Sequence, residues 1–330
     1  MKAVLTTLGS LVLIVVAALA LAWLSFVRMP NRTFRGTPPP LTSPQLALRN
    51  ALRSDVMRLA ATERNVVLTR EYDAAARYIG DSLAGAGYGV SRQEFEVEGY
   101  HCANIEAELR GAIKPDEIVI IGAHYDSVDG APGADDNASG VAALLALAKT
   151  FAHERPARTL RFVAFANEEP PYFQSEYMGS YVYARRARER GEKIVAMISL
   201  ESIGYFRDEE GSQQYPSGIS HLYPSRGNFI AFVSNLGSRA LLRRACATFR
   251  RHATVPSEGG ALPEALPGVG WSDQWSFWQH GYDAIMVTDT AIFRNPNYHT
   301  PHDTPETLDY DRFARVTDGM TAVVRDLCTP

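Results

Sequence analysis

Six short apolar runs constrain the chain more than any other feature: ANIEAEL (103–109), EIVIIGA (117–123), TLRFVAFA (159–166), KIVAMISL (193–200), NFIAFV (228–233) and DAIMVTD (283–289). Each is bounded by turn-forming or charged residues and has the length of a strand. Helical stretches at 71–86, 139–153, 176–190 and 238–252 are interspersed with them; the first ends among Gly85 and Gly87, as helices do. Apolar runs of this length alternating with helices predict a sheet, largely parallel and covered on both faces. The segment 207–228 reads as a long excursion, and segments of that length are more often functional than idle.

In such a sheet, ligands bind beyond the carboxyl ends of the strands. Four of the runs end on imidazole or carboxylate: His124-Tyr125-Asp126-Ser127 after the second, Asn167-Glu168-Glu169 after the third, Glu201-Ser202 after the fourth, and the loop carrying Tyr298, His299, His302 and Asp303 after the sixth. The loop GADDNASG (133–140) adds Asp135 and Asp136. Acids gathered on one rim repel one another unless a cation lies between them. Two histidines and several carboxylates, without cysteine, suit zinc or a similar divalent ion. With one carboxylate as a bridge, His124, Asp135, Glu169, Glu201 and His299 can serve two metals about 4 Å apart. Asp136 is the rival to Asp135, or a cap for the helix that follows, and His302 is the rival to His299.

The ordered motifs HYDS, GADDNASG, EE, ESIG and YHTPHDT resemble the co-catalytic zinc exopeptidases typified by bacterial leucyl aminopeptidases, with glutamate carboxypeptidases and glutaminyl cyclases as relatives. The resemblance runs from about Glu63 to Leu308. It implies a three-layer α/β/α sandwich with a mixed, mostly parallel central sheet, and two zinc ions. His124 and Glu201 would hold one, Glu169 and His299 the other, and Asp135 would bridge them. Glu168 would be the general base acting on a water between the metals, Tyr298 a donor to the developing oxyanion, and Asp126 the residue that orients His124. It also implies an unusual cis bond, with Asp135-Asp136 the candidate. Two departures stand out: Glu201 occupies a place usually held by aspartate, and Gln274, in WSDQW, one where histidine is frequent. Asp273 beside it is a candidate supporting residue.

The expected activity is that of a zinc-dependent aminopeptidase acting on peptides. A glutaminyl-cyclase-like transferase with one zinc and a non-catalytic domain of the same fold are the alternatives. A formal net charge of −4 over 330 residues and the lack of a basic stripe argue against nucleic acid. The three cysteines, Cys102, Cys246 and Cys328, have no metal-binding spacing. Aromatic residues at 271–278 read as core, and no Gly-x-Ser-x-Gly elbow points to a serine hydrolase.

Residues 3–27 carry no charge and are long enough to span a bilayer as a helix, so residues 1–28 are expected to be a transmembrane anchor or signal segment. A Pro-rich linker (29–44) and the catalytic domain (45–330) follow. The protein is therefore expected to be membrane-anchored or exported, on the extracytoplasmic face, although Arg28, Arg32 and Arg35 after the apolar run would by charge bias alone place the domain in the cytoplasm.

Overall fold

The computed structural model describes residues 23–330 together with Leu13, Ile14, Ala17, Ala20 and Leu21. Most of the expected N-terminal anchor lies outside the described residues; among these, no helix is long and apolar enough to cross a membrane.

All six apolar runs form strands of one eight-stranded sheet: β2 (Tyr100–Leu109), β3 (Lys114–His124), β4 (Arg158–Phe165), β5 (Lys193–Glu201), β6 (Ile230–Ser234) and β8 (Ala284–Thr288), joined by β1 (Val90–Val97) and β7 (Ser257–Ala261). Their order is β1-β2-β4-β3-β5-β8-β6-β7. The centre is parallel from β4 through β3 and β5 to β8, and β6 and β7 are parallel to each other. The β1–β2, β2–β4 and β6–β8 pairs are antiparallel. Ile118 to His124 is buried without interruption, as a central strand covered on both faces must be, whereas β1 alternates on the sheet's edge.

Helices α1 (Ser43–Leu59), α2 (Thr69–Gly85), α3 (Gly140–Phe151), α5 (Arg239–His252) and α7 (Tyr310–Leu327) pack into the larger core on one face. Helices α4 (Gly179–Glu189) and α6 (Gln274–Gln279) cover the other, around Phe165, Tyr183 and Phe277. The three layers match the expected architecture. The aromatic residues of α6 are core, as read from sequence, but Trp271 before it is partly exposed.

The Pro-rich segment runs along the domain rather than away from it. Met29 is buried against Gly259 of β7, where an added Cβ would lie 2.7 Å from Met29 Cγ. Arg243 donates to the carbonyls of Leu24 and Arg28, and Arg250 to those of Met29, Pro30 and Asn31. The Ser257 N–H, on the free edge of β7, donates to Thr33 Oγ1 at 2.7 Å, so the strap blunts an open sheet edge. Thr42 then caps α1 in a reciprocal capping box with Gln45.

Candidate metal centre

The carboxyl ends of β3, β4 and β5 converge, and sharp backbone turns follow β4 and β5 and mark the loop after β8. Asn167, Ser202 and His299 adopt left-handed φ values of 56°, 46° and 57°, costing about 1–3 kcal/mol each. Neighbours hold them there. Tyr72 donates to Asn167 Oδ1 at 2.8 Å, and the Ser202 N–H donates to Asn137 Oδ1 at 3.1 Å. Glu168, Glu169 and Glu201 flank these turns and are thereby fixed in direction.

His124, at the end of β3, is completely buried. Its Nε2 lies 3.1 Å from Asp136 Oδ1 and 3.2 Å from Glu201 Oε2, and its Nδ1 lies 3.3 Å from Asp126 Oδ1. Across Asp136, His299 Nε2 lies 3.1 Å from Asp136 Oδ2 and 3.1 Å from Glu169 Oε2. One carboxylate thus stands between two histidines, each with a glutamate of its own.

That carboxylate belongs to Asp136, which corrects the expectation for Asp135. Asp303 accepts from the N–H groups of both Asp135 and Asp136, fixing the backbone so that the two side chains diverge. Asp135 turns away: its Oδ1 accepts from the Gly204 N–H at 3.0 Å and its Oδ2 from Asn295 Nδ2 at 2.9 Å. It ties the loop after β5 to the loop carrying His299. The cis bond is Asp136-Asn137, not Asp135-Asp136; Pro170-Pro171 is also cis. Nor does Asp136 cap the following helix; Asn137 Oδ1 accepts from the Gly140 N–H instead.

Asp126 does more than face His124. Its two oxygens accept from the N–H groups of Glu168 and Glu169, at 3.1 and 3.0 Å, so one carboxylate sets the stem of both glutamates. The Val128 N–H donates to Glu169 Oε1. Glu201, despite its extra methylene, still reaches His124, and the hydroxyl of Ser272 pins its Oε2 at 2.6 Å. Tyr298 stacks on His299 with ring centroids 3.9 Å apart and lines the cleft beside Glu201. His302 is exposed. Asp273 is buried near the centre with both oxygens unpartnered, and Gln274 donates to the Val269 carbonyl away from it.

Sequence reasoning missed Ser272 and Arg64. Arg64 is buried and donates to the carbonyls of Leu59, Tyr125 and Gly133, clamping the two loops that present Asp126 and Asp136. A lone arginine in TERN carries no periodic signal.

The electrostatics are unbalanced. Burial raises Glu168 well above the ordinary carboxylate range, with His124 opposing, and pushes Glu169 and Asp273 up to about 7. Burial works against a charged His124, yet Glu201 and Glu168 hold its pKa well above the imidazole value; His299 is raised to about 10 by Asp136 and Glu169 against the same burial. Both ring nitrogens of His124 and Asp136 Oδ1 are buried without a hydrogen-bond partner. Ligand atoms of His124, Asp136 and Glu169 lie within 4.8 Å of one another. Orphaned buried donors of nitrogen and oxygen type, with carboxylates in excess, fit a zinc site.

The chain is 40% identical over 259 residues to the uncharacterized protein YfbL of Escherichia coli K12, covering 76% of this chain and 79% of that one. Its fold is similar to that of an aminopeptidase from Aneurinibacillus sp. strain AM-1, with a TM-score of 0.64 at 16% identity over 84% of this chain and 93% of the other. It is also similar to the glutaminyl cyclase of Fimbriiglobus ruber, with a TM-score of 0.62 at 16% identity over 88% and 99% of the two chains. Residues 104–324 match the model of peptidase family M28. With motifs, fold and family model agreeing, the chain belongs to peptidase family M28, and the expected zinc hydrolase stands.

Proposed function

We propose that the protein is an aminopeptidase with two zinc ions, one held by His124 and Glu201, the other by Glu169 and His299, and Asp136 shared between them. The observation that carries this reading is the placement of the two Asp136 oxygens, each 3.1 Å from a different histidine. A single-zinc cyclase would use one such pole, so the pairing of each histidine with a glutamate of its own supports the two-zinc reading.

Zinc bound there supplies Lewis acidity, polarising the scissile carbonyl and lowering the pKa of water toward ~7. The remaining work falls to side chains. Glu168 Oε2 lies 3.9 Å from His124 Nε2, facing the shared centre, and takes a proton from the attacking water before returning it to the leaving amine. Asp126 holds the Glu168 backbone while this proton moves. Tyr298, at the rim of the cleft, donates to the oxygen that gains charge. The N-terminal apolar run supports an anchored or exported enzyme.

The test is zinc content per chain combined with hydrolysis of aminoacyl-anilides by the wild type and Glu168→Gln. The variant should keep its metal and lose on the order of 10²–10⁴-fold in kcat. A variant as active as the wild type overturns the role of Glu168, and release of pyroglutamyl product from N-terminal glutamine without peptide hydrolysis points to the cyclase.

A further inference from the structure

Beside the metal centre the cleft opens into a largely apolar pocket, walled by β6, β7 and β8 and by the 207–228 excursion. Its floor is one row of the sheet. Glu201 pairs with Thr288, Thr288 with Ala231, and Ala231 with Glu258. Directly paired residues point to the same face, so Glu258 projects to the side of the sheet on which Glu201 meets the metal. Two small residues separate the two acids, across three strand spacings or roughly 14 Å.

The cavity is built around Glu258. Tyr215 and Tyr223 line the same pocket and stack on each other with centroids 5.7 Å apart. Gly260 keeps the space open, since a Cβ there would lie 2.5 Å from Tyr223 Oη. The Glu258 side chain is 24% exposed, and the Arg250 guanidinium approaches it only to 3.5 Å. Arg250 is occupied elsewhere: it donates to Ser257 Oγ and to the carbonyls of Met29, Pro30, Asn31 and Ser257. Arg250 and Arg35 already lower the cost of its charge, yet a partly exposed carboxylate in mostly apolar surroundings still favours a further cation on its open side.

We infer that Glu258 selects substrates whose N-terminal residue ends a long apolar stem in a cation, namely lysine or arginine. The stem extends from the metal centre over Thr288 toward Ala231, the Glu258 side chain reaches back to meet its cation, and the tyrosine rings add cation–π attraction. A leucine side chain is too short to cross the row. The inference rests on the aminopeptidase reading, because it takes the substrate's α-amino end to lie at the metal centre.

The experiment compares lysyl-, arginyl-, norleucyl- and leucyl-anilides on the zinc-loaded full chain and on Glu258→Gln. Norleucine keeps the stem of lysine without its charge. The wild type should favour lysyl over norleucyl in kcat/KM, and Glu258→Gln should lose on the order of tenfold for lysyl and arginyl while norleucyl and leucyl stay within about twofold. Equal lysyl and norleucyl rates in the wild type, or an unchanged ratio in the variant, overturn the inference. Calorimetric binding of lysinamide and norleucinamide reads the cavity without turnover. A lysinamide preference that disappears in Glu258→Gln sustains the cation site even if no anilide is cleaved, in which case the aminopeptidase reading alone fails.

Discussion

Strand β3 carries charge at both ends and balances it at only one. At its start, Glu117 faces Arg158 Nε at 2.6 Å, Lys193 Nζ at 2.9 Å and Lys114 Nζ at 3.4 Å. At its finish, His124 is ringed by Asp126, Asp136, Glu168 and Glu201. At the first end the chain's own cations offset the carboxylate, so it contributes only to stability. The second gathers acids inside the protein with too few cations of its own. Buried charge without compensation is costly, and a divalent ion from outside supplies what the chain omits.

The largest effect should follow from removing the shared carboxylate. Asp136→Ala should strip metal from both poles and lower kcat/KM by roughly 10³-fold or more, since metal activation is worth several kcal/mol. Asp135→Asn should keep its metal, because the amide oxygen can still accept from the Gly204 N–H and the hydrogen bond from Asn295 Nδ2 lies away from the metal centre. Metal analysis of the two variants decides between neighbouring aspartates. Loss of zinc from Asp135→Asn with retention in Asp136→Ala would reverse the arrangement.

A smaller loss is expected at Asp126. Asp126→Asn replaces an acceptor of two backbone N–H groups by a side chain with one acceptor oxygen, loosening Glu168 and Glu169 together. Zinc affinity should fall about 10–100-fold, the usual cost of disturbing a ligand's support, as read by competition with a chromophoric chelator. Glu117→Gln, at the other end of β3, should leave zinc affinity unchanged.

How much of this was legible before folding depended on whether a pattern is local. The six apolar runs became strands because continuous burial on both faces leaves a compositional mark. Strand β1, VSRQEFEV, sits on an edge with one face exposed and reads as polar. Strand β7, SEGGA, reads as loop; its pairing with β6 and its cover come from Met29 and Thr33, more than two hundred residues away in sequence. At the centre, His124, Glu169 and Glu201 follow strand ends, which fix direction, and His299 is marked by the motif in the loop after β8. Asp135 and Asp136 lie in a loop, where Asp303 decides which of the two faces inward, and no motif reports that bond. Arg64 and Ser272 act through backbone carbonyls and a single hydroxyl, contacts that many sequences could supply.

The smallest effect belongs to the balanced end, and its sign separates the two ends again. Lys193 and Arg158 hold Glu117 down at about 2, against an ordinary glutamate value of 4.5. A carboxyl depressed by folding stabilises the native state above its unfolded pKa, and that contribution is lost as pH falls through the folded value. The Glu117 contribution should therefore be complete above pH 4.5 and vanish toward pH 2. Glu117→Gln mimics the protonated side chain at every pH. Its Tm should lie slightly below that of the wild type at neutral pH, and the two curves should merge as the pH approaches 2. A gap that is constant with pH would mean that Glu117 contributes through packing, and the charge balance at this end of β3 would then have no energetic role.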